Sequence, residues 1–220
     1  MNFILRPEHP ADHRAVEALV REAFWNVYKP GCDEHHYLHL LRQSPAFRPE
    51  LTFVCEVDGE LAGQIACSSS SIALSSGGRL NTVTFGPLAV LPRYQKQGLA
   101  RALVCHALRA AQAAGERGAV ILGDPRHYGR YGFWCGEKWG IALESGQYLP
   151  GLQAVELAPG ALEHAAGRFH EGFVYDPDPA DFAAFDAAFP AKEKAITESQ
   201  REFQFMCSLG HEVIPHGFMQ

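Results

Sequence analysis

A long apolar strand that leads directly into a glycine-containing turn and a helix limits most strongly how this chain can fold. Residues 80–91 are rich in apolar and β-branched side chains, and Gly86-Pro87 interrupts them. Because proline cannot donate to a strand ladder, the pattern predicts a strand that bulges at this point. Apolar residues recur at helical spacing from Gly98 to Ala114, which predicts an amphipathic helix. A strand and a helix joined by a short turn indicate an α/β fold.

The turn itself, Gln95-Lys96-Gln97-Gly98-Leu99-Ala100, predicts an anion-binding site. At a helix start, free backbone N–H groups and the positive end of the helix dipole face the same point. Gly98 lets the backbone approach a ligand closely, and the small Ala100 does not obstruct it. Lys96 and Arg101 would add positive charge. The same spacing also fits an ordinary helix start, so the turn alone does not identify a ligand.

The distribution of charge supports a polyanionic ligand for this part of the chain. The whole chain carries a net charge of −6, which argues against a nucleic-acid-binding protein. Residues 61–115 nevertheless contain no Asp or Glu and have a local charge of +5. A carboxylate in this segment would repel an anion, so its absence favours one. The five basic residues are Arg79, Arg93, Lys96, Arg101 and Arg109.

Composition places the chain among cytoplasmic globular proteins. Its 220 residues, 47% of them hydrophobic, can bury a sizeable core. The six cysteines include no C-x-x-C pair, which argues against a zinc ribbon or a disulfide framework. Arg6, Glu8 and two prolines occupy the first ten residues, where a signal peptide needs an apolar core. We also find no apolar run long enough to span a membrane, and therefore expect no membrane partner.

Weaker patterns predict the remaining elements. Asp58-Gly59 between two apolar runs is typical of a hairpin turn, and Ser68–Ser71 reads as part of a loop. The other predicted strands are residues 2–6, 119–122, and a second antiparallel pair around 134–143 and 154–157. The other predicted helices are residues 10–24 and 33–41, with a short helix or turn at 126–131.

From Pro177 onward the composition changes to Asp, Ala, Phe, Glu and Lys. Residues 180–206 have a mainly helical pattern that is broken at Pro190. The many phenylalanines are too apolar for a solvated tail. We therefore expect a main domain over residues 1–175 and a helical extension over residues 176–220, packed on the domain or on a partner chain in a homodimer.

Three ordered motifs resemble the GNAT superfamily of N-acetyltransferases. Gln95, Gly98 and Ala100 match its acetyl-CoA motif, Q/R-x-x-G-x-G/A, which follows the fourth strand. The other two motifs are similar to those of a subgroup of small bacterial acetyltransferases of unassigned substrate, and the resemblance covers roughly residues 2–171. Those stretches are Phe85–Pro92, the end of the fourth strand, and Leu122–Pro125 with Tyr128–Phe133.

The resemblance implies a fold and a reaction. The fold would be a mixed, mostly antiparallel twisted sheet, split at the fourth strand by a bulge, with helices on both faces and the C-terminal extension added. The reaction would transfer acetyl from acetyl-CoA directly to a primary amine in a ternary complex, without a metal. The backbone of Leu88, Ala89 and Val90 would hold the pantetheine arm, and residues 95–101 the pyrophosphate. An N–H near Leu88 or Ala89 would polarise the thioester carbonyl.

Proton transfer is less well defined than cofactor binding. Tyr128 is similar in position to the family's general acid, although it could also be a packing residue, and Tyr131 is a competing acid. Many members carry a glutamate base on the fourth strand, and residues 80–91 contain no carboxylate. The candidate bases are therefore Glu56, Asp124 and His127, together with Glu34, His35 and His36 near the first helices.

Other functions and mechanisms remain open from the sequence. Residues 32–39 contain Cys, Asp, Glu and three His, and His35 and His39 lie one helical turn apart as in a metal-binding helix. The Glu of the protease pattern is missing between them and there is no second cluster, so we expect no metal. Cys105 and Cys135 have no obvious activating histidine, which disfavours a covalent intermediate. A non-catalytic acyl-CoA sensor or assembly module, or a nucleotide-binding domain, would use the same turn. The acceptor could be a small metabolite, an amino acid or a peptide N-terminus.

Overall fold

A computed structural model describes residues 2–212, so positions 213–220 of the predicted extension lie outside the described residues. The strands are β1 (Phe3–Pro7), β2 (Phe53–Val57), β3 (Glu60–Leu74), β4 (Arg79–Val90), β5 (Gly118–Leu122), β6 (Trp134–Cys135), β7 (Ile141–Ala142), β8 (Leu152–Glu156) and β9 (Gly167–Glu171). The helices are α1 (His13–Phe24), α2 (Glu34–Leu41), α3 (Leu99–Ala113), α4 (Pro125–Tyr128), α5 (Pro179–Asp186) and α6 (Glu198–Ser208).

All the strands within residues 2–212 belong to one mixed sheet. The order is β1-β2-β3-β4-β5-β8-β6, and β9 pairs with both β3 and β7. The pairs are antiparallel except β4–β5 and β7–β9. The predicted α/β fold with a mostly antiparallel sheet is therefore confirmed.

The predicted bulge in β4 is present. Its pairing with β3 shifts register because Gly86 and Pro87 together lie opposite the single residue Ala66. The buried amide of Gln64 spans this irregularity. When oriented to satisfy both neighbours, it donates to the carbonyl oxygen of Pro87 at 3.0 Å and accepts from the N–H of Ala66 at 3.0 Å.

Helices cover both faces of the sheet. The buried stripe of α3, including Leu99, Leu103 and Ala107, packs with side chains of β2, β3, β4 and β5 on one face. On the other face, α1 and α2 pack against Val54 and Ala66. Burying the apolar area of these two layers favours folding by about 25 cal/mol per Å². No helix among the described residues is long and apolar enough to cross a membrane.

Two strands differ from the sequence-based prediction. The serines at 68–71, predicted to lie in a loop, are the middle of β3, where Ser70 and Thr82 share a hydrogen bond of 2.8 Å. Such cross-strand hydroxyl pairs allow polar residues to occupy a buried strand. The strand β9 was not predicted, and it adds to the part of β3 that extends past β2.

The first part of the extension packs on the helices of the same chain. Asp186 of α5 accepts a hydrogen bond from Arg21 of α1 at 2.7 Å and lies 3.0 Å from the buried ring of His35. Phe185 and Phe189 lie 5.4 and 5.1 Å from the same ring, centroid to centroid. His35, one of the candidate bases, therefore belongs to the interface between α2 and the extension.

Candidate active site

The turn before α3 has the geometry of an anion site. Gly98 has a φ of +94°, and Lys96 also lies in the left-handed region with a φ of +60°. The first helical hydrogen bond runs from the N–H of Ala102 to the oxygen of Gly98, so the N–H groups of residues 99–101 have no carbonyl within the helix. A side chain at Gly98 would meet no atom within 4 Å, so space for a ligand lies beside the turn.

The basic side chains around the turn differ in their availability. Lys96 and Arg101 form no ion pair within residues 2–212 and are exposed, so their charge is available to a ligand. Arg93 instead pairs with Glu60, the first residue of β3. A carboxylate from outside residues 61–115 therefore neutralises one of the basic side chains of this segment. Near the turn, the positive potential is concentrated at Lys96 and Arg101.

The strand β4 separates from β5 just before the turn. The two strands pair at Val83 and Ala119, and no further pairing is present toward their carboxyl ends. The edge of residues 88–90 that faces β5 is therefore open, although β3 pairs with the other edge. The side chain of Gln95 donates to the oxygen of Val90 at 3.0 Å and holds the turn against the end of this strand. An extended ligand could therefore lie beside β4 and reach the turn.

An unpaired hydroxyl marks the point where the strands separate. Thr84 follows Val83, and its Oγ1 is buried with no hydrogen-bond partner among the described residues. Val83 and Phe85 pack on the α3 side, so Thr84 points to the opposite face, where α1 and α2 lie. A buried polar atom without a partner is costly, which is consistent with a site that a bound molecule completes.

Tyr128 ends α4, next to the carboxyl end of β5. Its ring lies on the backbone of Gly123, where an added Cβ would be 2.5 Å from a ring carbon. Gly123 is held in turn by Gln153, whose side chain donates to its oxygen at 2.9 Å. The Tyr128 hydroxyl has no hydrogen-bond partner within residues 2–212. Burial raises the pKa of Tyr128 well above its usual value, and the nearby Tyr28 and Tyr131 add to this effect.

The predicted base Asp124 caps α4. Its carboxylate accepts from the backbone N–H of Arg126 at 2.8 Å and from the guanidinium of the same residue at 2.7 Å. These bonds hold the pKa of Asp124 below its usual range. His127 is exposed, and its ring nitrogen lies 4.0 Å from the Asp124 carboxylate. Both residues lie on the same short helix as Tyr128.

The predicted base Glu56 lies elsewhere in the sheet. It is on β2, which β3 separates from β4. Arg6 of β1 donates to its carboxylate at 2.8 Å, and the same guanidinium binds Asp12 at 2.6 Å. Glu56 therefore belongs to an ion-pair network at the edge of the sheet, and the structure does not place it with Tyr128.

The residues near the first helices separate into two groups. His35 and His36 face the extension, and His36 also lies 3.0 Å from the hydroxyl of Tyr175, just before the extension. Glu34 is half-buried and forms no ion pair within the described part of the chain. Burial raises the pKa of Glu34 to about 7. Burial raises the pKa of Tyr28, and the nearby negative charges of Glu34 and Asp124 add to this rise.

Tyr28 and Gly123 contribute to the site in ways that sequence patterns do not show. Tyr28 follows α1 in a connection without a recognisable motif, and its proximity to Tyr128 depends on the tertiary fold. Gly123 belongs to a motif quoted above, but its contact with the tyrosine ring depends on how α4 turns. Within residues 2–212, no three His, Cys, Asp or Glu side chains are grouped to hold a metal ion.

Comparisons with known proteins agree with this geometry. The model of the acetyltransferase (GNAT) family matches residues 17–133. The uncharacterized N-acetyltransferase YhbS of Escherichia coli K12 is 30% identical over 173 residues, which cover 78% of this chain and 98% of the relative. The crystal structure of E. coli YhbS in complex with CoA has a TM-score of 0.69, with 30% identity over 78% of this chain and 90% of that one.

A second solved structure is also similar to this chain. The GNAT family acetyltransferase from Brucella melitensis, in complex with acetyl-CoA, has a TM-score of 0.57 and 28% identity, covering 72% of this chain and 90% of that one. The family match spans more than half of this chain and includes β4, the turn, α3 and Tyr128. This chain is therefore a member of the GNAT family of N-acetyltransferases.

Proposed function

We propose that this protein transfers the acetyl group of acetyl-CoA to a primary amine by direct attack in a ternary complex. The observation that carries the proposal is the open edge of β4 leading into a turn with three free N–H groups and a left-handed glycine. The two relatives with about 30% identity were solved with CoA or acetyl-CoA, which supports the same cosubstrate here.

The geometry of the turn and of β4 supports the following cosubstrate-binding residues. The N–H groups of residues 99–101, with the side chains of Lys96 and Arg101, bind the pyrophosphate, and Gln95 and Gln97 shape the turn. The open edge of Leu88, Ala89 and Val90 pairs with the pantetheine arm. A backbone N–H near Leu88 or Ala89 stabilises the negative charge that develops on the thioester oxygen.

Tyr128 acts as the general acid. The amine nitrogen forms a bond to the acetyl carbon, the carbon–sulfur bond breaks, and the departing thiolate takes the phenol proton. Its hydroxyl has no competing partner among residues 2–212, and burial raises its pKa, so the group is protonated at neutral pH. The phenolate then regains a proton from water.

Glu34 is the candidate base that its surroundings favour. A base must accept the proton of the ammonium group near neutral pH, and burial raises the pKa of Glu34 to about 7. Arg126 lowers the pKa of Asp124 and makes it a weaker base, whereas Glu56 is bound by Arg6 on a strand away from Tyr128. His127 lies beside Tyr128 and acts in place of Glu34 if the acceptor approaches from α4.

The test is thiol release from acetyl-CoA with a panel of primary amines. We expect Tyr128→Phe to lower kcat by about 10²–10⁴, the usual contribution of a general acid, with little change in CoA affinity. Glu34→Gln should remove the rise of kcat/KM around pH 7, because only the ionised carboxylate accepts a proton. Asp124→Asn and Glu56→Gln are the comparison variants, and should keep that rise.

The rival function, a non-catalytic acyl-CoA sensor, predicts a different result. It requires tight CoA binding, no turnover with any amine, and no effect of Tyr128→Phe. A nucleotide-binding domain would instead gain thermal stability with ATP or NAD and not with CoA. The homodimer stays a prediction, since Phe185 and Phe189 of the extension pack on α2 of the same chain.

A further inference from the structure

The helix α6 contacts both α4, which ends at Tyr128, and the connection after α1. Glu202 accepts from Arg126 of α4 at 2.8 Å. The adjacent residue, Phe203, packs its ring against Tyr28 with 4.6 Å between the centroids. One turn of α6 therefore contacts α4 on one side and the connection after α1 on the other.

The start of α6 is fixed to the same connection. Gln200 is 4% exposed, and its amide donates to the oxygens of Asn26 at 3.0 Å and Ala195 at 2.9 Å. Ser199 donates to the oxygen of Val27 at 2.8 Å. A buried side-chain amide that satisfies two backbone carbonyls costs free energy to detach, so α6 has a defined position.

The other end of α6 reaches the support of the general acid. The terminal methyl of Met206 lies 3.6 Å from where a Cβ would stand on Gly151. The oxygen of Gly151 accepts from the N–H of Gly123, the glycine under the Tyr128 ring. The helix therefore passes over the side of the site where Tyr28 lies, and Glu34 is near Tyr28.

We propose that α6 is the outer wall of the acceptor site and restricts the acceptor to a small free amine, with Phe203 and Glu202 as the residues that set its size. This inference rests on the function proposed above. Tyr28 and Phe203 offer aromatic surface, and Glu34 offers a carboxylate that forms no ion pair within residues 2–212, a combination that attracts an ammonium group. A peptide segment would have to displace α6 to reach Tyr128.

The family's shared features do not account for this wall. The GNAT family match ends at residue 133, so α6 lies outside it. The E. coli relative is covered almost completely by 173 of the 220 residues of this chain. Acceptor selection by α6 would therefore be set by a part of this chain that lies outside the family match.

The experiment measures kcat/KM for primary amines of increasing size, from alkylamines and amino acid amides to peptides. Phe203→Ala should raise kcat/KM for the largest acceptors about tenfold relative to the smallest, the scale expected when one pocket contact is removed. Phe205→Ala is the matched control, because this neighbour on the same helix is 66% exposed, and it should leave the size profile unchanged. Glu202→Ala should shift the profile in the same direction as Phe203→Ala.

Each outcome has one meaning. The proposal that α6 limits acceptor size would be wrong if the wild-type protein acetylated peptides as well as small amines. It would also be wrong if Phe203→Ala changed kcat/KM equally for all acceptors, and neither result would contradict the acetyltransferase activity. A wild-type protein that binds acetyl-CoA and acetylates nothing would instead overturn the proposed function. If Phe203→Ala lowers the melting temperature severely, Phe203→Leu and Glu202→Ala carry the test, and an unchanged profile in both would overturn the wall.

Discussion

At the scale of single residues, Gly123 and Tyr128 depend on each other. The ring occupies the space that a side chain at position 123 would need, with 2.5 Å between the added Cβ and a ring carbon. Gly123→Ala should therefore displace the phenol by a distance that matters for proton transfer, and lower kcat by about 10²-fold. The measurement is the turnover of acetyl-CoA with a small amine.

Gly129 supplies the control for this prediction. It lies in the helical turn after Tyr128, and a Cβ there would meet no atom within 4 Å. Gly129→Ala should keep kcat within about twofold of the wild type. Equal losses in the two variants would show that the whole loop is sensitive and that the Gly123 contact has no special role.

At the scale of elements, the two ends of α3 allow strain and ligand binding to be separated. Gly98 before the helix and Gly115 after it both have positive φ, +94° and +85°, and both have empty space where a Cβ would stand. Alanine at either position should cost about 1–2 kcal/mol of stability, because L-residues disfavour this conformation. Calorimetry with CoA should show weaker binding for Gly98→Ala and unchanged binding for Gly115→Ala.

Local patterns predicted those elements whose signals are local. The Asp58-Gly59 turn and the Gln95–Ala100 turn each depend on a few adjacent residues, and both are present. The serines at 68–71 were misread as a loop because their role depends on partners in β4 and β9. β9 itself becomes a strand only by adding to an exposed edge of β3, which no short window can show.

The candidate site also combines features with local sequence signals and features that depend on tertiary packing. The turn and Tyr128 were identified from motifs. The raised pKa of Glu34 depends on burial. Its neighbour Tyr28 packs against Phe203, more than 170 positions away along the chain. Burial and charge at that distance are set by tertiary packing, so they were beyond prediction from sequence patterns.

At the scale of the whole molecule, we predict that the stability of the packing between α2 and the extension depends on pH. Burial lowers the pKa of His35 to about 4, and the nearby Asp186 offsets this only in part; Arg21 and His36 add to the lowering. The unfolded chain takes up a proton near pH 6.5, while folded His35 stays neutral down to about pH 4. Stability from this group is therefore complete above pH 6.5 and is lost as the pH falls toward 4.

Melting temperatures between pH 7 and pH 4 test this. The wild type should lose stability over that window, and His35→Gln should flatten the part due to this residue, from a lower starting value at pH 7. His127→Gln is the control, since its side chain is 69% exposed, and it should keep the wild-type slope. A wild-type slope in His35→Gln would contradict the assignment.

The position of α6 also has a consequence for biosynthesis. Because synthesis runs from the N-terminus, ribosomes deliver the cofactor turn, Tyr128 and the sheet before Glu202 and Phe203. The residues of the catalytic site would therefore be complete before those of α6, which limit the acceptor. A nascent chain that has not yet reached residue 203 would therefore lack the wall that limits acceptor size.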